Sequence, residues 1–259
     1  ALNLGLNVIV MNIGSEGWAL EFEDGAAMNG GTVEHIKDAA SVMGLYCDII
    51  GIRSFPTLKD KKADDEERVI ASFIQYAKVP IISLESATRH PLQSFADMVS
   101  IQEHKKTENP KVVLAWAPHI KPLPQAVSNS FAEWSLQSGY DLTIAHPKGY
   151  GLNEKFTKGA VIENNLEKAI ENADFIYVKN WSSYEQYGEI LHSGEGWLLN
   201  EEMMKKTNQA KIMHCLPVRR NLELKDELLD SEHSLIHNQA ENRLYTAQAV
   251  LKKILEDNF

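Results

Sequence analysis

KVVLAWAPHIKPLPQAVSNSFAEWSLQSGYDLTIAHP, residues 111–147, decides the fold. An apolar, β-branched run over 111–119 crosses a proline-bearing segment, gives way to a 3.6-residue period over 124–138, and returns to a short apolar run at 141–147. Strands apolar on both faces suit a sheet covered by helices, and strand–helix–strand alternation of this kind is the βαβ unit of a parallel sheet. The same alternation extends outward in both directions. Further strands are predicted at 7–13, 47–54, 80–86, 174–181, 211–217 and 234–240, and further helices at 33–44, 63–77, 90–106, 164–172 and 241–257. In the first helix Thr32 is a candidate N-cap, with Val33, Ile36, Ala40 and Met43 on one face. A charged helix end meets Asn109 and Pro110 within 104–111, which places a domain boundary there. The expected architecture is α/β: two doubly wound domains, each with a central parallel sheet, joined by interdomain helices.

The 259 residues suffice for two medium domains with substantial cores. Hydrophobic residues make up 44%, and no apolar run is long enough to cross a bilayer, so neither a membrane nor a low-complexity role is indicated. A net charge of -10 argues against general nucleic-acid binding but leaves room for a local basic pocket that takes a small anion. Cys47 and Cys215 are the only cysteines, without metal spacing or a disulfide framework, which suits a reducing cytoplasm. The start, ALNLGLNVIV, reads as the tail of a helix closed by Gly5, so sequence upstream of Ala1 is expected.

In open α/β sheets ligands bind beyond the carboxyl ends of the strands. The polar residues there form one list: Arg53; Glu85, Arg89 and His90; His119; Lys179; and His214, Cys215, Arg219 and Arg220. Arginines and a lysine would hold phosphate or carboxylate, with the bidentate geometry open only to the arginines. Each residue also has an ordinary structural reading. Arg89 and Arg220 fit surface charges at strand ends, His214 a hydrogen-bonded core histidine, Cys215 a small buried hydrophobe, Glu85 a helix cap and Trp18 simple packing. The prolines of KPLPQ, 121–125, fit a helix-start loop.

His90-Pro91-Leu92-Gln93, His214-Cys215-Leu216-Pro217 and Glu241-Asn242-Arg243 occur in series. Together they resemble the carbamoyltransferase family, the aspartate and ornithine transcarbamylases, and the resemblance covers essentially the whole chain. It implies that a neutral amine attacks the carbonyl carbon of carbamoyl phosphate and expels phosphate, with no metal or organic cofactor. By similarity, Arg53 and His90 would contact the carbamoyl oxygen or phosphate, and Gln93 and the backbone carbonyls near Cys215 and Leu216 would accept from the carbamoyl NH2. Arg243 would hold the same ligand, and Trp18 would reach a neighbouring subunit's carbamoyl phosphate site. The Cys215 sulfur would lie beside the attacking amine as a polarisable wall. The domains implied are 1–106 with 241–259 for carbamoyl phosphate, incomplete at the N-terminus, and 107–240 for the amine substrate. The family's Ser-x-Arg-Thr-Arg phosphate turn is absent, and relatives carry it shortly before the position matching Ala1. The chain by itself is therefore expected to be catalytically poor beside a longer one starting upstream; equal activity of the two would refute this.

Ordinary ornithine transcarbamylases carry an Asp where this sequence has Lys179, followed by a Ser-Met-Gly that is missing here. A lysine would repel an α-ammonium but suits an acylated α-nitrogen and can pair with a carboxylate. The loop HIKPLPQAVSNSFAEW, GWALE around Trp18 and HCLPVRRN are similar to the acylornithine branch, in which Glu85, His119, Lys179 and Arg219 would hold the acylornithine. ESATRHPLQSFAD and Glu223, where the acetyl type has a lysine, favour N-succinylornithine over N-acetylornithine, whereas Val33, in the loop that separates the two, matches neither. The resemblance further implies a cytoplasmic homotrimer with sites between subunits, acting in arginine biosynthesis. An ordinary ornithine carbamoyltransferase and a non-catalytic, anion-binding paralogue are the competing readings. The aspartate enzyme is disfavoured by the HCLP loop, and a Rossmann dehydrogenase by the lack of G-x-G-x-x-G after the first strand.

Overall fold

The structure, a computed structural model, describes residues 1–13 and 18–258. Its first unit holds two short parallel pairs. β1 (Leu20–Glu21) pairs with β2 (Glu34–His35), which leads into helix α1 (Ile36–Tyr46). β3 (Ile50–Arg53) then connects through α2 (Lys61–Asp65) and α3 (Arg68–Tyr76) to its parallel partner β4 (Ile81–Glu85), and α4 (Pro91–His104) follows. Ile36, Ala40, Ile50, Ile52, Phe73 and Ala77 form the core of this unit. The predicted helix over 63–77 is two helices. Glu67 sits between them with φ 48°, and its carboxylate accepts from the Thr88 backbone N–H at 3.0 Å and from the Ser86 hydroxyl, bracing the turn before α4.

The second unit is built on one five-stranded parallel sheet in the order β7-β6-β5-β8-β9. In chain order its elements are β5 (Lys111–Trp116), α5 (Ala126–Gln137), β6 (Asp141–Ala145), α6 (Glu154–Thr157), β7 (Val161–Glu163), α7 (Leu166–Ala169), β8 (Phe175–Lys179), α8 (Glu201–Met204), β9 (Lys211–Met213) and α9 (Asp226–Leu229). The order reverses at β5, between β6 and β8, so the ends of β5 and β8 open a crevice at the switch point. Val112 through Trp116 and Phe175 through Lys179 are all buried, as strands covered on both faces require. The last helix, α10 (Ile236–Asn258), leaves this unit and packs along α4 of the first.

Two predicted strands are corrected. Residues 7–13 form none: Val8, Ile9, Val10 and Met11 are exposed, and no sheet of the described residues takes them as a neighbour. Residues 234–240 make one isolated bridge, Ile212 to Ser234, and then enter α10. The buried residues of α10 are Ile236, Gln239, Asn242 and Thr246, a helical period carried mostly by polar side chains and therefore invisible to an apolar count. The two strands of the first unit before α1 and the short edge strand β7, with Val161 and Ile162 exposed, were not predicted. Among the described residues no helix is long and apolar enough to cross a membrane.

Candidate active site

Strand ends and helix starts converge on one cleft wall. Arg53 closes β3 and Glu85 closes β4, so parallel pairing sets their side chains together: Arg53 Nε and a terminal guanidinium nitrogen lie 3.0 and 2.8 Å from Glu85 Oε2. Glu85 is buried, and it binds Arg53 instead of capping a helix. His90 occupies the N-cap of α4, with Pro91 at the first helical position, where its missing N–H costs nothing. Its backbone N–H donates to the Ser130 hydroxyl at 2.8 Å, tying this turn to α5 of the second unit.

The His90 ring is buried, with Nδ1 lacking a hydrogen-bond partner among the described residues and Nε2 3.8 Å from Glu85. Burial, with the Arg243 and Arg53 guanidinium groups, pushes its pKa down to about 3. His90 is therefore a neutral imidazole with one N–H to offer, not a cation. The unfolded chain takes up that proton near 6.5, so the stability His90 contributes is complete above that pH and is lost as pH falls toward 3. An NMR titration of the His90 Cε1–H resonance is expected to stay flat between pH 5 and 8; an inflection near 6.5 would contradict the assignment.

One helical turn on, Gln93 donates from Nε2 to Asp97 Oδ1 at 2.7 Å and accepts a hydrogen bond from Arg243 on α10. Arg53, His90, Gln93 and Arg243 thus lie together: two guanidinium groups, a neutral imidazole and an amide, a set whose chemistry suits a small anion. Trp18, placed with these residues by resemblance, donates from its indole N–H to Glu34 at 2.8 Å, beside β1 and β2.

The facing set lies at the ends of β5, β8 and β9. Lys179 is 8% exposed and has no ion-pair partner within 4 Å among the described residues. Arg219 Nε donates to His119 Nε2 at 3.0 Å, which requires the Nδ1–H tautomer; Nδ1 then donates to the Lys121 carbonyl at 2.9 Å in preference to accepting from the Lys121 N–H at 3.1 Å. His214 is buried, with Nδ1 accepting from the Leu216 backbone N–H at 3.0 Å and Nε2 3.6 Å from Glu223. Its structural reading holds in part, because its ring shapes the loop that follows. Glu223 is equally buried and accepts from the Arg219 backbone N–H at 2.8 Å. Burial alone would raise its pKa, but His214, that N–H and Lys179 bring it below the ordinary carboxylate value. The sequence reading weighed Glu223 for acyl preference only; the structure makes it the brace of the Arg219 turn.

Between the two sets, Leu216 has φ 57°, a left-handed conformation that costs an L side chain about 1–2 kcal/mol and marks a constrained turn. Cys215 is half-buried, and burial pushes its thiol up, so a thiolate nucleophile is disfavoured. Arg89 and Arg220 take their structural readings. Arg89 grips Glu133 on α5 through two bonds of 3.0 and 2.9 Å, and Arg220 bridges Asp226 and Asp230. The described residues contain no cluster of His, Cys, Asp and Glu fit to hold a metal ion.

The family description "Aspartate/ornithine carbamoyltransferase, carbamoyl-P binding domain" matches residues 1–103, and its companion "Asp/Orn binding domain" matches 124–254. The N-succinylornithine carbamoyltransferase of Bacteroides fragilis (strain 638R) is 50% identical over 259 residues, which cover 99% of this chain and 81% of that protein. The N-acetylornithine carbamoyltransferase of Xanthomonas campestris pv. campestris is 34% identical, with 98% of this chain and 81% of that protein covered. An acetylornithine transcarbamylase solved with acetylcitrulline superposes with a TM-score of 0.91 at 33% identity, covering 98% of this chain and 82% of the other. A single-site variant of N-acetyl-L-ornithine transcarbamylase, solved with carbamyl phosphate and N-succinyl-L-norvaline, gives the same TM-score of 0.91 at 34% identity and the same coverage. With both family domains matched and relatives up to 50% identical along nearly its whole length, the chain belongs to the aspartate/ornithine carbamoyltransferase family.

Proposed function

We propose that the protein transfers the carbamoyl group of carbamoyl phosphate to the side-chain amine of an N-acyl-L-ornithine, N-succinyl in preference to N-acetyl, giving N-acyl-L-citrulline and phosphate. The amine nitrogen forms a bond to the carbamoyl carbon and gives up a proton. The carbon–oxygen bond to phosphate breaks, and phosphate leaves with the electron pair. Arg53 and Arg243 hold the phosphate, the neutral His90 donates to the carbamoyl oxygen as charge builds there, and Gln93 with the Cys215–Leu216 carbonyls orients the NH2. Trp18 completes the phosphate pocket of a neighbouring subunit. Glu85, His119, Lys179 and Arg219 hold the acylornithine.

The observation that carries this reading is Lys179. A nearly buried ammonium with no anion in ion-pair contact, Glu223 being within its field but engaged by His214 and the Arg219 N–H, leaves room for an incoming carboxylate to complete the pair. It also disfavours a substrate with a free α-ammonium, and the names of the 50% identical relatives point to the same substrate class. The reading includes a division into residues 1–106 with 241–259 and residues 107–240, a cytoplasmic homotrimer, and a place in arginine biosynthesis. Exposed apolar side chains of the first unit, Val10, Leu45 and Tyr46 among them, are of the kind an oligomer covers.

The test supplies carbamoyl phosphate with ornithine, N-acetylornithine or N-succinylornithine to the full-length protein and identifies the citrulline formed. The expected ranking puts N-succinylornithine about tenfold or more above N-acetylornithine in kcat/KM, with ornithine inert. Product from ornithine alone would establish the ordinary enzyme; no product from any acceptor would establish a binding-only protein.

A further inference from the structure

Beside His90 lies a ring of side chains, closed through one turn of α10, two of whose members, Asp97 and Gln239, the transfer chemistry leaves unused. Two i,i+4 pairs face each other across the packed helices: Gln93 and Asp97 on α4, Gln239 and Arg243 on α10. Asp97 Oδ1 accepts from Gln93 Nε2 at 2.7 Å and from Gln239 Nε2 at 2.6 Å. The far ends of the two amides point outward to the site. Gln93 Oε1 accepts from Arg243, and Gln239 Oε1 accepts from the His214 backbone N–H at 2.9 Å. Asp97, Gln93 and Gln239 are all buried.

An amide has a nearly symmetric shape, so packing alone does not choose which end carries the oxygen. Asp97 Oδ1, accepting from both, does, and it does so in either protonation state: burial pushes the Asp97 pKa up to about 7, and the proton then sits on Oδ2, which no amide touches. With Asp97 in place, each amide must turn its NH2 inward and its oxygen outward, toward a guanidinium on one side and a backbone N–H on the other. Flipping either would set an oxygen against the carboxylate and an NH2 against a donor. The other edge of Asp97 lies close enough to Tyr177 and Cys215 to shift the titration of both, so the ring also touches the wall of the cysteine.

We propose that Asp97 is a positioning residue that fixes both amides, and through them holds the carbamoyl phosphate pocket and the His214–Leu216 loop in register. This rests on the carbamoyl transfer reading above. Asp97→Leu in the full-length protein is expected to lower kcat by about tenfold or more and to raise the KM of both substrates. Asp97→Asn, whose amide oxygen can still accept from both glutamines, is expected to recover kcat to within about threefold of the parent. Gln239→Leu releases only the arm to the His214–Leu216 loop: the acylornithine KM and, through the Cys215–Leu216 carbonyls, that of carbamoyl phosphate both rise, each by less than in Asp97→Leu. Parent-like kinetics of a folded Asp97→Leu, or a loss in Asp97→Asn as deep as in Asp97→Leu, would overturn the proposal. Should Asp97→Leu fail to fold, Gln239→Leu decides: parent-like KM values for both substrates overturn it. A parent that carbamoylates neither ornithine nor either acylornithine refutes the function reading alone. The ring is then judged by hydrogen exchange at the His214 amide, slow in the parent and about tenfold faster in Gln239→Leu, with an unchanged rate overturning the proposal.

Discussion

Replacing Arg243 by leucine is expected to lower kcat/KM for carbamoyl phosphate by about a hundred- to a thousandfold, the usual consequence of losing one preorganised cationic donor in a water-poor site. Three losses coincide. The phosphate loses a guanidinium, Gln93 Oε1 loses its donor, and His90, held down to about 3 first by burial, loses one of the two cations that add to that depression. The third loss has its own signature. His90 rises toward its ordinary value, and an acid limb enters the pH profile that the parent lacks. Arg243→Lys restores charge but not the fork, so it is expected to recover only part of the rate. Steady-state kinetics at saturating acylornithine across pH 5–9 would check this; a loss below about threefold with an unaltered profile would remove Arg243 from the pocket.

Lys179→Met should raise the KM for N-succinylornithine by about a hundredfold or more and leave that for carbamoyl phosphate unchanged. The methionine preserves length and removes only the ammonium, so the loss reports a desolvated ion pair with substrate, and it leaves Glu223 with less positive charge nearby. Because the cation no longer repels an α-ammonium, discrimination against plain ornithine is expected to shrink in the same variant. Product analysis with the three acceptors would show it, and an equal loss for both substrates would place Lys179 in a structural role.

The second unit was legible in the sequence because its strands are continuous apolar runs. Val112–Trp116 and Phe175–Lys179 have no solvent face, so periodicity and burial say the same thing. The first unit was less so. Its first two strands are two residues long, too short for a period, whereas 7–13 is apolar yet exposed, so composition there pointed the wrong way. Arg53, Glu85 and Lys179 do end their strands, with His90 and His119 a few residues beyond theirs, since topology brings carboxyl ends together whatever the loops do. Asp97 and Gln239 escaped because a polar residue on a helix looks like surface. The signal that could have found them is the matched i,i+4 spacing of 93/97 with 239/243.

Arg243 reaches Gln93 across 150 positions of chain, and Gln239 reaches Asp97 across 142. A ribosome delivers residues in order, and domains made early ordinarily consolidate early. Here α10 follows the whole second unit in the chain, so α4 stands without its covering helix while that unit is being made. The contacts of Gln93 and Asp97 are therefore completed after the second unit, not before it. The long sequence separation of those contacts makes this docking the slow, late event in the maturation of the chain.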